Sequence, residues 1–164
     1  MAATPVASLS DLELTRRGNG GSFEAEVNSF GRTIGSTGIG CMLHVVPPGK
    51  KAFPRHAHHQ IDELFVILEG EGTYRFGDES HPVKAGDVCA APAGGPETAH
   101  QLVNSGSQPL KYLGISTTAE TEVVEYPDSE KFAVMSRFDW STMSGGIRFI
   151  GRTGDSLGYF DGEE

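Results

Sequence analysis

The sequence has 164 residues, a formal net charge of −9, 22 glycines and 9 prolines. This length favours one domain with a proper core, and the acidic balance argues against nucleic acid or an anionic membrane as the main partner, because both require clustered Lys or Arg. No apolar run approaches the roughly 18 residues that a membrane-spanning helix needs.

The N-terminal region, residues 1–38, is polar and rich in glycine, which predicts an extension with edge strands. It has no basic stretch followed by an apolar one, so we expect no secretory signal and a cytoplasmic protein. Cys41 and Cys89 are then expected to remain reduced. Segment 31–40 is rich in glycine but lacks the Gly-Lys-Ser/Thr ending of a phosphate loop, which favours a turn.

Residues 39–136 contain many short strand patterns and no long helical period. The predicted strands are 39–46, 63–68, 73–76, one around Val83, 88–91, 99–103, 110–116, 123–126 and 132–135. Clusters of glycine and proline separate them, as at Pro47-Pro48-Gly49. Strands at this spacing indicate an all-β antiparallel sandwich or barrel.

Residues 137–164 form a third region, a C-terminal tail without steady periodicity. Its aromatic residues are Phe138, Trp140, Phe149, Tyr159 and Phe160. We expect such a tail to lie over the domain or over a neighbouring subunit. The alternative is a mobile lid over a pocket.

Three histidines and one glutamate form the candidate site. His56 and His58 are two residues apart, so in a strand both side chains share one face. Glu63 opens an apolar strand with the parity of Phe65, which places a carboxylate at the mouth of the barrel interior, where an unpaired charge is costly. His100 begins another strand and can close the site from across the barrel. Imidazole suits Zn, Cu, Fe and Ni, and the added carboxylate keeps Fe(II), Mn and Zn as candidates; the alternative is an internal hydrogen-bond network.

These residues resemble the two sequence motifs of the cupin superfamily. The first motif is matched by Gly49, His56, His58, Glu63 and Gly70, with one residue more than usual after the first glycine. The second motif is matched by Gly86, Pro92, Gly94, His100 and Asn104, with five residues instead of two before the histidine. The similarity covers about residues 40–117.

The resemblance implies a double-stranded β-helix, or jelly-roll, cupin barrel at residues 39–136 with N- and C-terminal extensions. It implies one divalent ion of Fe, Mn, Zn, Ni, Co or Cu held by His56, His58, Glu63 and His100. Many single-domain cupins resemble sugar-phosphate isomerases, so a metal-dependent enzyme that isomerises a sugar or sugar phosphate is slightly favoured among small polar metabolites. A non-haem metal dioxygenase and a cupin that binds a small molecule without turnover are the alternatives.

Other residues carry secondary expectations. Tyr74, on an inward strand face, and Glu97, in the loop before His100, are candidates for proton transfer or substrate contact. His44 lies in an apolar strand and is expected to be a core or edge histidine with its hydrogen bonds satisfied. No cluster of Arg or Lys flanks either motif, so a phosphate clamp is not indicated. An outward apolar row on one strand predicts a homodimer, and its members are Leu64, Val66 and Leu68.

Overall fold

A computed structural model describes residues 4–138 and 144–164 of the chain. Its strands are β1 (Thr15–Gly18), β2 (Glu24–Ser29), β3 (Ile39–Val46), β4 (Ala57–His58), β5 (Glu63–Glu69), β6 (Glu71–Phe76), β7 (Glu79–Lys84), β8 (Val88–Ala91), β9 (His100–Val103), β10 (Leu110–Thr117), β11 (Thr121–Tyr126), β12 (Lys131–Ser136) and β13 (Ile147–Gly151). Short 3-10 turns occur at Leu9–Asp11, Arg32–Ile34, Pro96–Thr98, Pro127–Ser129 and Thr153–Asp155. Within the described ranges, no helix is long and apolar enough to cross a membrane.

The strands form three antiparallel sheets that build the predicted all-β jelly-roll barrel. The largest sheet has the order β1-β2-β3-β10-β5-β8, the second β13-β12-β11-β4 and the third β7-β6-β9. Strands distant in sequence lie side by side, for example β3, β10 and β5. Such long-range antiparallel neighbours arise because the chain crosses repeatedly between the walls of the barrel.

The alternation of side chains along the strands sets the core. On β5, Phe65 is 8% exposed and Ile67 is buried. Leu64, which precedes Phe65 in the sequence and points outward, is 44% exposed. Glu63 therefore lies on the same inward face of β5 as Phe65, in agreement with the prediction. The inward rows of several strands meet in one apolar cluster, which includes Val46, Ile67, Tyr74, Leu102, Leu110 and Tyr112. Burial of each large apolar side chain contributes about 1.5–3 kcal/mol, so this cluster is the main source of stability.

The N-terminal extension continues the largest sheet. β1 lies at the edge of that sheet and pairs with β2, which pairs in turn with β3. Edge strands were predicted for this region. Both cysteines are free, as expected, with Cys89 buried and Cys41 half-buried.

The C-terminal tail differs from the irregular segment that we expected. Residues 147–151 form β13, which pairs with β12 and adds an edge to the second sheet. Four of its five residues are exposed, so the sequence shows no inward and outward alternation there. The ring of Phe149 lies 5.8 Å from that of Phe132, whereas Tyr159 and Phe160 are 91% and 77% exposed. Trp140 lies outside the described residues, and a role of the tail as a lid or subunit contact remains a prediction.

Candidate metal centre

The four predicted ligands come from three separate parts of the barrel. His58 ends the two-residue strand β4, Glu63 is the first residue of β5, and His100 is the first residue of β9. His56 joins this group through its backbone: its N–H donates to the carbonyl of His100 over 3.1 Å, and the N–H of His100 donates back over 2.8 Å. The fold thus brings the two sequence motifs face to face.

One carboxylate oxygen lies at the centre of the group. Oε2 of Glu63 is 2.9 Å from Nε2 of His100, 3.5 Å from Nε2 of His58 and 3.9 Å from Nε2 of His56. One donor atom each of His56, His58 and Glu63 all lie within 4.8 Å of one another. His100 is not part of this mutually close set of three and joins the group through its contact with Glu63.

The contacts of two imidazoles indicate where their protons lie. Nδ1 of His56 is 2.8 Å from the carbonyl oxygen of Pro54, which only accepts hydrogen bonds, so this Nδ1 carries the proton and Nε2 keeps a lone pair. Nε2 of His100 is 2.9 Å from Oε2 of Glu63, a shorter contact than the 3.3 Å between its Nδ1 and the carbonyl oxygen of Thr98. A carboxylate also only accepts, so without a metal ion His100 donates from Nε2 to Glu63. A metal ion at this point would replace that proton, because a coordinating histidine nitrogen must be deprotonated.

The electrostatics of the site favour neutral imidazoles around an ionised carboxylate. Burial lowers the pKa of His56 to about 4, with the neighbouring His100 and His58 adding to the effect, and burial also lowers the pKa of His58. For Glu63 burial raises the pKa, but the contact with His100 and the proximity of the other two imidazoles outweigh it and lower the pKa to about 2. Neutral imidazole and ionised carboxylate are the forms that bind metal ions.

Aromatic side chains surround the donor atoms. The ring of Phe65 lies 5.4 Å from that of His100, and the ring of Tyr126 stacks near His56 at 6.2 Å. His100 itself is only 2% exposed. Low exposure and apolar neighbours reduce the local dielectric constant and strengthen any charge interaction in the site. The sequence analysis did not indicate Tyr126, which ends β11.

The two candidates for catalysis are engaged in other contacts. Tyr74 is buried, its hydroxyl donates to the carbonyl oxygen of Ala90 over 2.8 Å, and burial raises its pKa. Glu97 is exposed, and its Oε1 accepts a hydrogen bond from the N–H of Gly95 at 2.9 Å, which lowers its pKa. The geometry favours packing for Tyr74 and loop stabilisation for Glu97, and their catalytic roles remain predictions.

A further acidic residue reaches the site without having been predicted. Glu122 is only 4% exposed, and its Oε2 lies 3.8 Å from Nδ1 of His58. The signal was present in the sequence, because Glu122 has the strand parity of the buried Val124. The predicted strand began at Val123, one residue too late to include it.

Two arginines also lie together near the first motif, although no cluster was visible in the sequence. Asp128 accepts hydrogen bonds from Arg55 at 3.1 Å and from Arg75 at 2.8 Å. The hydrogen bond from Arg75, together with that from Arg55, holds the pKa of Asp128 below its usual range. Arg55 also donates to the carbonyl of Gly77. Both guanidinium groups are therefore engaged with acceptors of the chain itself.

Comparison with known proteins identifies the domain. The family model of the cupin domain matches residues 42–116. An uncharacterised protein of Methanocaldococcus jannaschii is 36% identical over 85 residues, and an oxalate-binding protein of Thermotoga maritima is 34% identical over 70 residues. These alignments cover 49% and 43% of this chain, and they span 65% and 54% of the relatives' own lengths, less than two thirds in each case.

Solved structures resemble a larger share of the chain. A protein of Acidithiobacillus ferrooxidans, provisionally described as a sugar phosphate isomerase, superimposes with a TM-score of 0.80 at 23% identity and covers 94% of this chain and 96% of its own. A sugar phosphate isomerase from a cupin superfamily of Silicibacter pomeroyi has a TM-score of 0.76 at 27% identity, covering 96% and 98%. A predicted oxalate decarboxylase of Thermotoga maritima has a TM-score of 0.60 at 27% identity, covering 70% and 99%. The matching family model shows that residues 42–116 of the chain form a cupin domain.

Proposed function

We propose that the chain is a metal-dependent cupin that binds one divalent transition metal ion through His56, His58, Glu63 and His100. A single observation carries the proposal: three imidazole Nε2 atoms lie within 3.9 Å of one carboxylate oxygen. The backbone carbonyl beside Nδ1 of His56 leaves the Nε2 of that residue as an acceptor. A cation would replace the proton between Nε2 of His100 and Glu63 and would be shared by all four side chains.

The spacing of the donor atoms fits this role. Two ligand atoms that each lie about 2.1 Å from one ion are about 3.0–3.4 Å apart at octahedral or tetrahedral angles. The contacts of Glu63 Oε2 with the three Nε2 atoms, at 2.9, 3.5 and 3.9 Å, fall around that range. Three imidazoles and one carboxylate are compatible with Fe, Mn, Zn, Ni, Co or Cu, so the donor set does not select among these ions.

The proposed reaction is isomerisation of a sugar or sugar phosphate. Its support is the similarity to the Silicibacter pomeroyi protein along nearly the whole chain, which includes both terminal extensions. A bound divalent ion supplies Lewis acidity toward a substrate oxygen. The residues of the chain would orient the substrate between the ligands and the ring of Tyr126 while limiting the access of water. Because Arg55 and Arg75 are both bonded to Asp128, a phosphate group would have to remain near solvent or compete with that carboxylate.

Binding of a small dicarboxylate is the second candidate function. It is favoured by the similarity to the oxalate-binding protein of Thermotoga maritima over the barrel residues. Two adjacent carboxylate oxygens of such a ligand suit the two positions that four protein ligands would leave open on a six-coordinate ion. In this case the protein would bind its ligand with or without turnover. The dioxygenase alternative rests on the shared ligand set alone.

The first experiment determines the metal. Elemental analysis of the purified chain, followed by anomalous scattering from crystals, is expected to find about one ion per chain at the four side chains. Removal with a chelator should abolish ligand binding, and reloading should restore it. A crystal without anomalous density after soaking with Mn(II), Zn(II) and Fe(II) in turn would overturn the metal proposal.

The second experiment separates the functions. Aldose and ketose phosphates are incubated with the metal-loaded protein and followed by NMR, while oxalate binding is measured by calorimetry. Interconversion of a sugar phosphate supports the isomerase. Oxalate binding without sugar conversion supports the dicarboxylate candidate, and oxygen uptake with a diol or thiol would support the dioxygenase.

A further inference from the structure

Glu122 is a buried carboxylate with one fully used oxygen. Its Oε1 accepts hydrogen bonds from three backbone N–H groups, those of Val123 at 2.8 Å, His59 at 2.9 Å and Gln60 at 3.2 Å. These bonds cap the chain where it leaves β4 and hold the carboxylate in one orientation. Several N–H donors on one oxygen offset the cost of burying the charge.

The other oxygen of Glu122 faces His58 and has no hydrogen-bond partner. Within residues 4–138 and 144–164, neither this buried Oε2 nor the buried Nδ1 of His58, which lies 3.8 Å away, has a hydrogen-bond partner. A hydrogen bond between nitrogen and oxygen measures about 2.7–3.2 Å, so these two complementary groups are less than about 1 Å from bonding distance. Pairing of Val124 with His58 between β11 and β4 fixes this relationship in the sheet. Unmet buried polar groups are rare in proteins and call for a physical explanation.

The three histidines of the site differ in the group that faces Nδ1 of each ring. Nδ1 of His56 and Nδ1 of His100 each face a backbone carbonyl, whereas Nδ1 of His58 faces a carboxylate. A carboxylate behind a histidine makes the imidazole a stronger electron donor and fixes its tautomer more firmly than a neutral carbonyl does. Of these three imidazoles, we therefore expect Glu122 to affect His58 most.

We propose that Glu122 is a positioning residue of the metal centre. Its Oε2 accepts a hydrogen bond from Nδ1–H of His58, and this bond directs the Nε2 lone pair of that histidine toward the ion. This inference rests on the proposed function, since it needs metal binding by His58. Glu122 does not touch the ion and acts only through the imidazole. Its carboxylate also adds a second negative group near Glu63, which favours the binding of a divalent cation.

The substitution Glu122→Gln tests this role with little change in shape. The side-chain carbonyl of the glutamine can keep the three backbone hydrogen bonds, while an NH2 group, which cannot accept a hydrogen bond, replaces the oxygen that faces His58. Affinity for Mn(II) and Zn(II) is measured by competition with a chromophoric chelator. We expect affinity to fall about 10–100-fold. Glu125→Gln is the matched control, because Glu125 lies on the same strand and contacts the half-exposed His59; its metal affinity should equal that of the parent chain.

Two further measurements distinguish positioning from a purely structural role. The melting temperature of the metal-free Glu122→Gln variant should match that of the metal-free parent chain, since the backbone bonds remain. Nitrogen-15 NMR of the zinc-loaded parent chain should show a protonated, hydrogen-bonded Nδ1 on His58, and its shift should change in the variant. Unchanged metal affinity together with a lowered melting temperature would overturn the inference while leaving the metal site intact. Failure of the parent chain to bind either metal would instead overturn the proposed function and the inference with it.

Discussion

Oε2 of Glu63 lies 2.9 Å from Nε2 of His100 although the two residues are 37 positions apart in the chain. Glu63 starts β5 in the largest sheet, and His100 starts β9 in the three-stranded sheet. Their contact therefore connects two walls of the barrel at its mouth. The proposed cation would replace the proton of this hydrogen bond and be held by both side chains, so it would stabilise the barrel as well as bind substrate.

Replacement of one ligand should remove most of the metal. We expect His58→Ala to lower the metal content of the purified protein at least about tenfold, because three ligands bind the ion more weakly than the full set of four. Metal content is measured by elemental analysis after dialysis. His81→Ala is the control, because His81 is half-exposed on β7 and pairs with Glu79. Equal metal content in His58→Ala and the parent chain would exclude His58 as a ligand.

The stability of the metal-free protein should depend on pH through His44. Burial lowers the pKa of His44 to about 4, although the charge of Glu63 and the backbone of Tyr112 and Met42 act in the opposite direction. The same histidine in the unfolded chain titrates near 6.5. Between these values the unfolded state binds more protons, so the free energy of unfolding should fall as the pH drops from about 6.5 to about 4. Above about pH 6.5 this loss is absent.

Denaturant unfolding at about pH 7.5 and about pH 5 measures this dependence. His44→Met should reduce the loss of stability between the two values, and the loss that remains would come from His56 and His58, whose pKa values are also lowered by burial. Methionine is a suitable replacement because Nδ1 of His44 is buried without a hydrogen-bond partner. An undiminished pH dependence in the variant would contradict this account of His44.

Several strands were predictable because their signals are local. β3 at Ile39–Val46 and β8 at Val88–Ala91 agree with the prediction at both ends. Each has an apolar pattern bounded by turn residues, such as Pro47-Pro48-Gly49 after β3. β4 was not predicted, because a two-residue strand exists only through its pairing with β11. β13 was missed because its largely exposed residues give no alternation.

The candidate site also contains residues that the sequence predicted and residues that it did not. The spacing of the histidines and Glu63 was sufficient to select four residues that the fold brings together. The parity of Glu122 with Val124 indicates only that its side chain points inward. That Glu122 lies beside His58, and Tyr126 beside His56, depends on the register between β4 and β11, which the sequence does not reveal. The expectation that His44 has its hydrogen bonds satisfied was wrong for Nδ1, which is buried and has no hydrogen-bond partner among the described residues.

The glycines of the two motifs should differ in their tolerance of a side chain. Gly70 and Gly86 both have left-handed backbones, with φ of +83° and +96°. An added Cβ at Gly70 would collide with the carbonyl oxygen of Pro109 and lie 3.1 Å from Cα of Leu110, whereas one at Gly86 would meet no atom within 4 Å. Both Gly→Ala changes incur the strain of a left-handed residue, about 1–2 kcal/mol.

Gly70→Ala should therefore be the more destabilising of the pair. The backbone collision should lower its free energy of unfolding by about 1–3 kcal/mol beyond the loss in Gly86→Ala. Urea denaturation of the two variants and the parent chain measures the difference. Equal stability of the two variants would show that the turn before β6 relaxes around the new methyl group.

The outer face of the largest sheet carries the proposed homodimer contact. Leu64 is 44% exposed and Val88 is 62% exposed, and β5 and β8, which carry them, are hydrogen-bonded neighbours. Val66 pairs with Val88 in the same register. Exposed apolar side chains that adjoin on one face are typical of a surface that pairs with a second copy. We expect light scattering to give twice the chain mass at micromolar concentration.

Leu64→Glu should convert this dimer to a monomer, because each interface would then bury two unpaired carboxylates across the symmetry axis. Ile147→Glu is the control, since Ile147 is also an exposed apolar residue and lies on β13 in a different sheet. Its mass should remain that of the parent chain. If Ile147→Glu dissociates the dimer and Leu64→Glu does not, the contact lies on the second sheet. A parent chain that is monomeric at every concentration would exclude a homodimer altogether.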